Sequence, residues 1–242
     1  MGRVNFPALK LLLSLYIAGS ISTLFASTSY PPCITDSLQD YISTTANPPT
    51  TGGCSIGGLT YFDFSYHLVT GSLQASAIEV TPGGSGFSFG PVSTPAGQTL
   101  QFEIDYDIVT DPAPIITGDK LGLDVTGNVI VTEYFCNDLT YVYTGSCEFG
   151  FQPAALTVGS PATGLPSSAT INFNPPATTQ QVGILFTLTG GASGASFNGL
   201  DSESILSSVP EPPAAAGLFL GFLAVAGASA FRKRARRQAL QL

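Results

Sequence analysis

Charge is scarce in this 242-residue chain. Only 10 % of its residues are Asp, Glu, Lys or Arg, against about 25 % in ordinary globular domains. Tryptophan is absent, the one methionine is Met1, and His67 is the one histidine. A single histidine excludes a multi-histidine metal centre, and a Ser–His–Asp triad would have to be built on His67. Bases are rarer still. Between residues 28 and 208 only Lys120 stands against fifteen acids. A body this negative repels phosphate backbones, which excludes nucleic acid as a partner, and it disfavours docking on anionic lipid. No G-x-S-x-G, Walker A or dinucleotide fingerprint occurs, so the common nucleophile-elbow and nucleotide folds are not indicated and no cofactor is expected.

The remaining seven bases lie at the two ends, each beside an apolar run. Arg3 and Lys10 precede Leu11–Ala26, which reads as a secretory signal peptide over residues 1–26 with cleavage at or just after Ala26. The second run, Ala214–Phe231, has 18 residues and no charge. At about 1.5 Å per residue it spans about 27 Å, enough for one transmembrane helix. Arg232, Lys233, Arg234, Arg236 and Arg237 follow at once. Positive charge stays cytoplasmic, so both ends predict that residues 27–210 lie outside. Val209-Pro210-Glu211-Pro212 stands before the span, and its two prolines hold the backbone extended.

Signal peptide, V-P-E-P, one apolar span and an Arg-rich end, in that order, closely resemble the tail of bacterial PEP-CTERM proteins. The resemblance covers residues 209–237, with Gln238–Leu242 extending beyond it. It implies recognition by an exosortase-type membrane enzyme, cleavage near Pro210-Glu211-Pro212, and delivery to the cell envelope or extracellular matrix. A second stretch resembles mature domains of the same proteins. It comprises Leu38-Gln39-Asp40-Tyr41-Ile42, Gly53-Cys54-Ser55-Ile56-Gly57, Ile78-Glu79-Val80-Thr81-Pro82, Gly86–Phe89 and Glu133-Tyr134-Phe135-Cys136. This implies a β-rich exported domain and supplies no catalytic residues.

Residues 27–208 form the exported body. A short helix is expected near Asp36–Ser43, capped by Thr35 or Asp36. The rest alternates like strands. In Gln101–Val109, Phe102, Ile104, Tyr106 and Ile108 fall on one face and Glu103, Asp105 and Asp107 on the other. Further strands are expected at 59–67, 76–81, 121–125, 128–135, 140–143, 170–173 and 182–189, separated by Gly/Pro/Ser turns. Many short strands with such turns predict an all-β, antiparallel, sandwich-like domain. Cys33, Cys54, Cys136 and Cys147 make an even set in an exported chain. That predicts two disulfides, and of three connectivities the sequence-local one, Cys33–Cys54 with Cys136–Cys147, is favoured. Zinc is disfavoured because no C-x-x-C occurs.

The main chemical candidate is the acidic strip Glu103, Asp105, Asp107 with Asp111 beyond. It is either a solvated strand face or a weak Ca²⁺ site. A paired-carboxylate glycosidase needs a cleft that sequence does not reveal. Asp63, Ser65 and His67 alternate on one strand face, but Asp63 and His67 would lie about 13 Å apart, too far for a direct triad. Tyr134, Tyr141 and Tyr143 either pack across strands or stack on sugar rings. The expectation is therefore a non-enzymatic envelope or matrix protein, with a Ca²⁺- or carbohydrate-binding surface module as the alternative. Its expected partners are the processing enzyme, the membrane through its tail, and an extracellular polysaccharide.

Overall fold

A computed structural model describes residues 30–45, 53–110, 114–137, 141–142, 146–147 and 154–208. The expected signal peptide (1–26), the V-P-E-P element, the span 214–231 and the basic cluster lie outside these residues, as does Asp111. Among the described residues no helix is long and apolar enough to cross a membrane.

Two antiparallel sheets make up the body, with strands numbered in chain order. The first contains β1 (Asp36–Ser37), β4 (Glu79–Gly83), β5 (Gly86–Gly90), β15 (Ala195–Ser207), β8 (Ile115–Thr126) and β13 (Ser168–Ala177), in that spatial order, and β6 (Val92–Thr94) also pairs with β15. The second runs β12 (Ala154–Gly159), β9 (Asn128–Asn137), β14 (Thr179–Thr189), β7 (Thr99–Thr110), β3 (Leu59–Thr70) and β2 (Cys54–Ile56). A two-strand hairpin, β10 (Tyr141–Val142) with β11 (Ser146–Cys147), stands beside β9 and β14. The all-β expectation holds, and the sheets pack face to face as a sandwich.

The period-two pattern explains the layering. Phe102, Ile104, Tyr106 and Ile108 of β7 are buried, as are Val182, Ile184, Phe186 and Leu188 of β14. Their partners from the first sheet include Phe87, Phe89, Leu121, Phe197 and Leu200. Aromatic rings replace the missing tryptophan. Phe102 stacks on Phe186 at 4.5 Å, and Tyr61 meets Phe87 edge-on at 4.7 Å. The expected helix forms as α1 (Leu38–Thr45), two residues later than the sequence suggests. Ser37 caps it, accepting from the Asp40 N–H at 3.2 Å.

Both expected disulfides are present, Cys33–Cys54 and Cys136–Cys147. The first ties the segment before α1 to edge strand β2. The second fastens the β10–β11 hairpin to β9. Stapled bridges of this kind place the domain in an oxidising compartment outside the cytoplasm.

Where β5 meets β15, one position has no room for a side chain. A Cβ added to Gly86 would lie 1.8 Å from the Ser202 carbonyl oxygen. Gly86→Ala is expected to push β5 off β15 and cost about 3 kcal/mol. In thermal unfolding followed by circular dichroism this should lower Tm by about 8 °C.

Candidate functional site

The sheet register sorts the sequence candidates into rows on the outer face of the second sheet. One row runs Ala155, Tyr134, Gly183, Asp105, Ser65 across β12, β9, β14, β7 and β3. The next runs Thr157, Thr132, Leu185, Glu103, His67. A third places Cys136 beside Gln181, Asp107 and Phe62. Glu103, Asp105 and Asp107 therefore share one face as predicted, but they are not freely solvated. Glu103 is 2 % exposed, and Asp105 and Asp107 are half-buried.

Burial sets their chemistry. Desolvation pushes the Asp105 carboxyl up to about 7, with the neighbouring Glu103 charge adding to it and a hydrogen bond from Ser65 opposing it. Ser65 Oγ donates to Asp105 Oδ2 at 2.9 Å. Asp107 is likewise pushed up to about 7 by desolvation, then by Asp63, and Gln181 opposes the shift by hydrogen bonding. Among the described residues, Asp105 Oδ1 and Asp107 Oδ1 are buried without a hydrogen-bond partner. The strip thus carries proton-holding carboxyls near neutral pH, with acceptor oxygens to spare.

Asp63, Ser65 and His67 do not act as a set. A β-bulge interrupts the pairing of β3 with β7 between Phe62 and Ser65, and Asp63 takes the left-handed conformation there (φ 55°). Phe64 turns inward to the core, Ser65 goes to Asp105, and His67 sits opposite Glu103. Tyr134 lies on the outer face and packs against the Cys136–Cys147 disulfide. Tyr141 lies in β10, whose side chains are outside the described set, and Tyr143 is itself outside it. Among the described residues no three His, Cys, Asp or Glu side chains converge so as to hold a metal ion. An open groove beside the first disulfide, lined by Pro31, Pro32, Asp36, Asp40 and Tyr41 among others, contains none of the acidic strip.

A second acidic cluster lies inside the sandwich, and sequence reasoning missed it. Glu133 of β9 and Asp119 of β8 are 0 % and 1 % exposed and face each other between the sheets. Ser202 Oγ donates to Glu133 Oε1 at 2.6 Å and lies 3.0 Å from the Tyr106 hydroxyl. Ser204 Oγ donates to Asp119 Oδ2 at 3.4 Å. The signal was present in the alternation, since Val129, Val131, Glu133 and Phe135 share a face, as do Asp119, Leu121 and Leu123. Acids seldom lie in a core, so the alternation alone does not single these two out.

No family model and no curated protein matches the chain. Among the solved structures that align over part of it are two. One is TmCBM61 in complex with beta-1,4-galactotriose, at 9 % identity and TM-score 0.35, covering 60 % of this chain and 88 % of that one. The other is the enzymatically active domain of bacteriophage CBA120 tailspike protein 4, at 14 % identity and TM-score 0.31, covering 59 % and 19 %. At these overlaps neither lends a residue, a ligand or an activity to this chain.

The acidic strip is testable by carboxyl-carbon NMR. Asp105 and Asp107 are expected to titrate with midpoints near 7. Ser65→Ala should move the Asp105 midpoint up, because it removes a donor to the charged form. Asp63→Asn should move the Asp107 midpoint down, because it removes a like charge. Midpoints near 4 in the wild-type protein, as for free carboxyls, would show that the strip is solvated after all.

Proposed function

We propose that this chain is a non-enzymatic exported protein of the cell envelope or extracellular matrix. A PEP-CTERM-type tail sorts it, and an exosortase-type membrane enzyme processes it. The observation that carries the reading is the pair of disulfides, Cys33–Cys54 and Cys136–Cys147, which agrees with the outward orientation that the charge pattern at both ends demands. In this reading the sandwich is the cargo and acts as a surface or matrix building unit. Its acidic body repels like copies and acidic polymers unless cations bridge them.

A specific arrangement favours a second role within the same location, binding of extracellular polysaccharide. The row Tyr134, Gly183, Asp105, Ser65 sets an aromatic ring, a position without a side chain, a carboxyl and a hydroxyl side by side. A sugar offers an apolar ring face to the aromatic and hydroxyl groups to the acceptors.

Intact mass of the protein recovered from its own host tests the sorting reading. Loss of the segment through about Ala26 and of everything beyond about Pro210 is the expected result. Retention of Arg232–Arg237 would make V-P-E-P a spacer and the protein a permanent single-span surface protein. For the binding role, gel retardation in the host's own extracellular polysaccharide is the measurement. Tyr134→Ala and Asp105→Asn should each weaken it about five- to tenfold, and equal retardation of wild type and both variants would remove the role.

A further inference from the structure

The interior acid cluster serves no purpose in sorting, and a neutral core would be simpler to build. Glu133 projects from the second sheet and Asp119 from the first. The two buried carboxyls lie close enough for each to feel the other. Two carboxyls bond to one another only when one carries a proton, because a carboxylate has no donor. The remaining oxygens agree with this account. Glu133 Oε1 is taken by Ser202, and Asp119 Oδ2 by Ser204. Asp119 Oδ1 and Glu133 Oε2 are buried with no hydrogen-bond partner among the described residues, which leaves both as acceptors for a shared proton.

Every element packed on the pair offers neutral groups or more acid. Tyr61 comes from β3 and Tyr106 from β7, both with hydroxyls pushed well up by desolvation and held neutral. Serines 202 and 204 come from β15, whose Glu203 adds a further like charge. Ile184 of β14 and Ile171 of β13 are the cross-strand neighbours of Glu133 and Asp119, and Phe87 of β5 lies across from Ser202. The backbone N–H of Lys120 helps hold Asp119, while the Lys120 side chain is exposed. His67, the other described base, stands on the outer face. No cation among the described residues faces the pair, so a proton must neutralise it.

We propose that Asp119 and Glu133 form a proton-dependent clamp between the two sheets, in which a proton shared by the two carboxyls holds the sandwich closed and its loss drives the sheets apart. Desolvation raises both carboxyls, and the like charge of Glu133 raises Asp119 further. In the unfolded chain both acids ionise near 4. The folded state therefore binds more protons. The clamp's contribution is complete below the unfolded value and declines as pH rises through the raised folded values. The domain is thus most stable in acid and loosens in alkali, at the β8–β9–β15 seam. The clamp is independent of how the chain is sorted.

The experiment is thermal unfolding across pH, followed by near-ultraviolet circular dichroism of the tyrosines. It is done in a chain carrying Asp105→Asn and Asp107→Asn, so that the outer strip does not titrate. Tm is expected to fall by roughly 5–10 °C between about pH 5 and about pH 9. Adding Asp119→Asn with Glu133→Gln keeps shape and hydrogen bonding but removes the proton, and should flatten that fall. An equal fall with and without the amide pair overturns the proposal. So does a Tm at pH 8 that Ca²⁺ alone restores in the acid pair but not in the amide pair, since a cation would then be the neutralising group. If the amide pair does not fold, infrared difference spectra of the chain carrying only Asp105→Asn and Asp107→Asn decide. A protonated-carboxyl C=O band present at neutral pH, and lost together with tyrosine dichroism as pH rises, supports the clamp, and its absence overturns it.

Discussion

The dry interface between the two sheets has a polar centre, and the rest of the structure is arranged around that constraint. Two carboxyls from opposite sheets meet within the core, with Ser202, Ser204, Tyr61 and Tyr106 around them. A buried charge is costly unless paired, and the described residues offer no base to pair it. The serines therefore face inward on β15, at positions where a sandwich usually puts valine or leucine, and the tyrosine hydroxyls aim at the same point. Tyr61 donates to the Ser85 carbonyl at 2.6 Å, and Ser85 in turn donates to the Ser204 carbonyl. The β4–β5 turn, the centre of β15 and the acid pair thus form one connected polar unit within an otherwise aromatic core.

The outer face of the second sheet follows a different logic. Its carboxyls lie in rows fixed by backbone pairing, which no single strand could define. Asp105 acquires Ser65 only because the β3 bulge turns Phe64 into the core and returns the strand to register beyond it. Glu103 is buried although the alternation points it outward, because it sits on a central strand flanked by Leu185 and His67. Burial rather than composition then raises the proton affinity of Asp105 and Asp107. The same acids that read as a solvated stripe in one dimension become a partly covered, proton-holding surface in three.

Strong periodicity carried most of the legible fold. β7 stands out because apolar and polar residues alternate along it, and β9, β14 and the first half of β3 because large apolar residues recur at every second position. Both disulfides were legible because each pair brackets a turn-rich segment. The longest strand, β15, was not legible. Its bulge between Phe197 and Gly199 breaks the period, and Ser202 and Ser204 occupy core positions that look like surface. β5 was missed because glycines bound it, and Gly86 is there to admit the Ser202 carbonyl rather than to turn the chain. β12 was missed because Ala154-Ala155-Leu156-Thr157 alternates too weakly in size. α1 was expected with Thr35 or Asp36 as its cap, and Ser37 takes that role because β1 extends the preceding residues against β4.

By itself the sequence determined the class of the molecule. Even cysteines and period-two alternation specify a disulfide-bearing, all-β body, because each of these properties is local or additive along the chain. Only the tertiary structure decided which acids matter. Whether Asp119 and Glu133 meet depends on how two sheets, built from strands far apart in sequence, are laid face to face. Proton affinity depends on what surrounds a carboxyl in space, and no window of neighbouring residues contains that information.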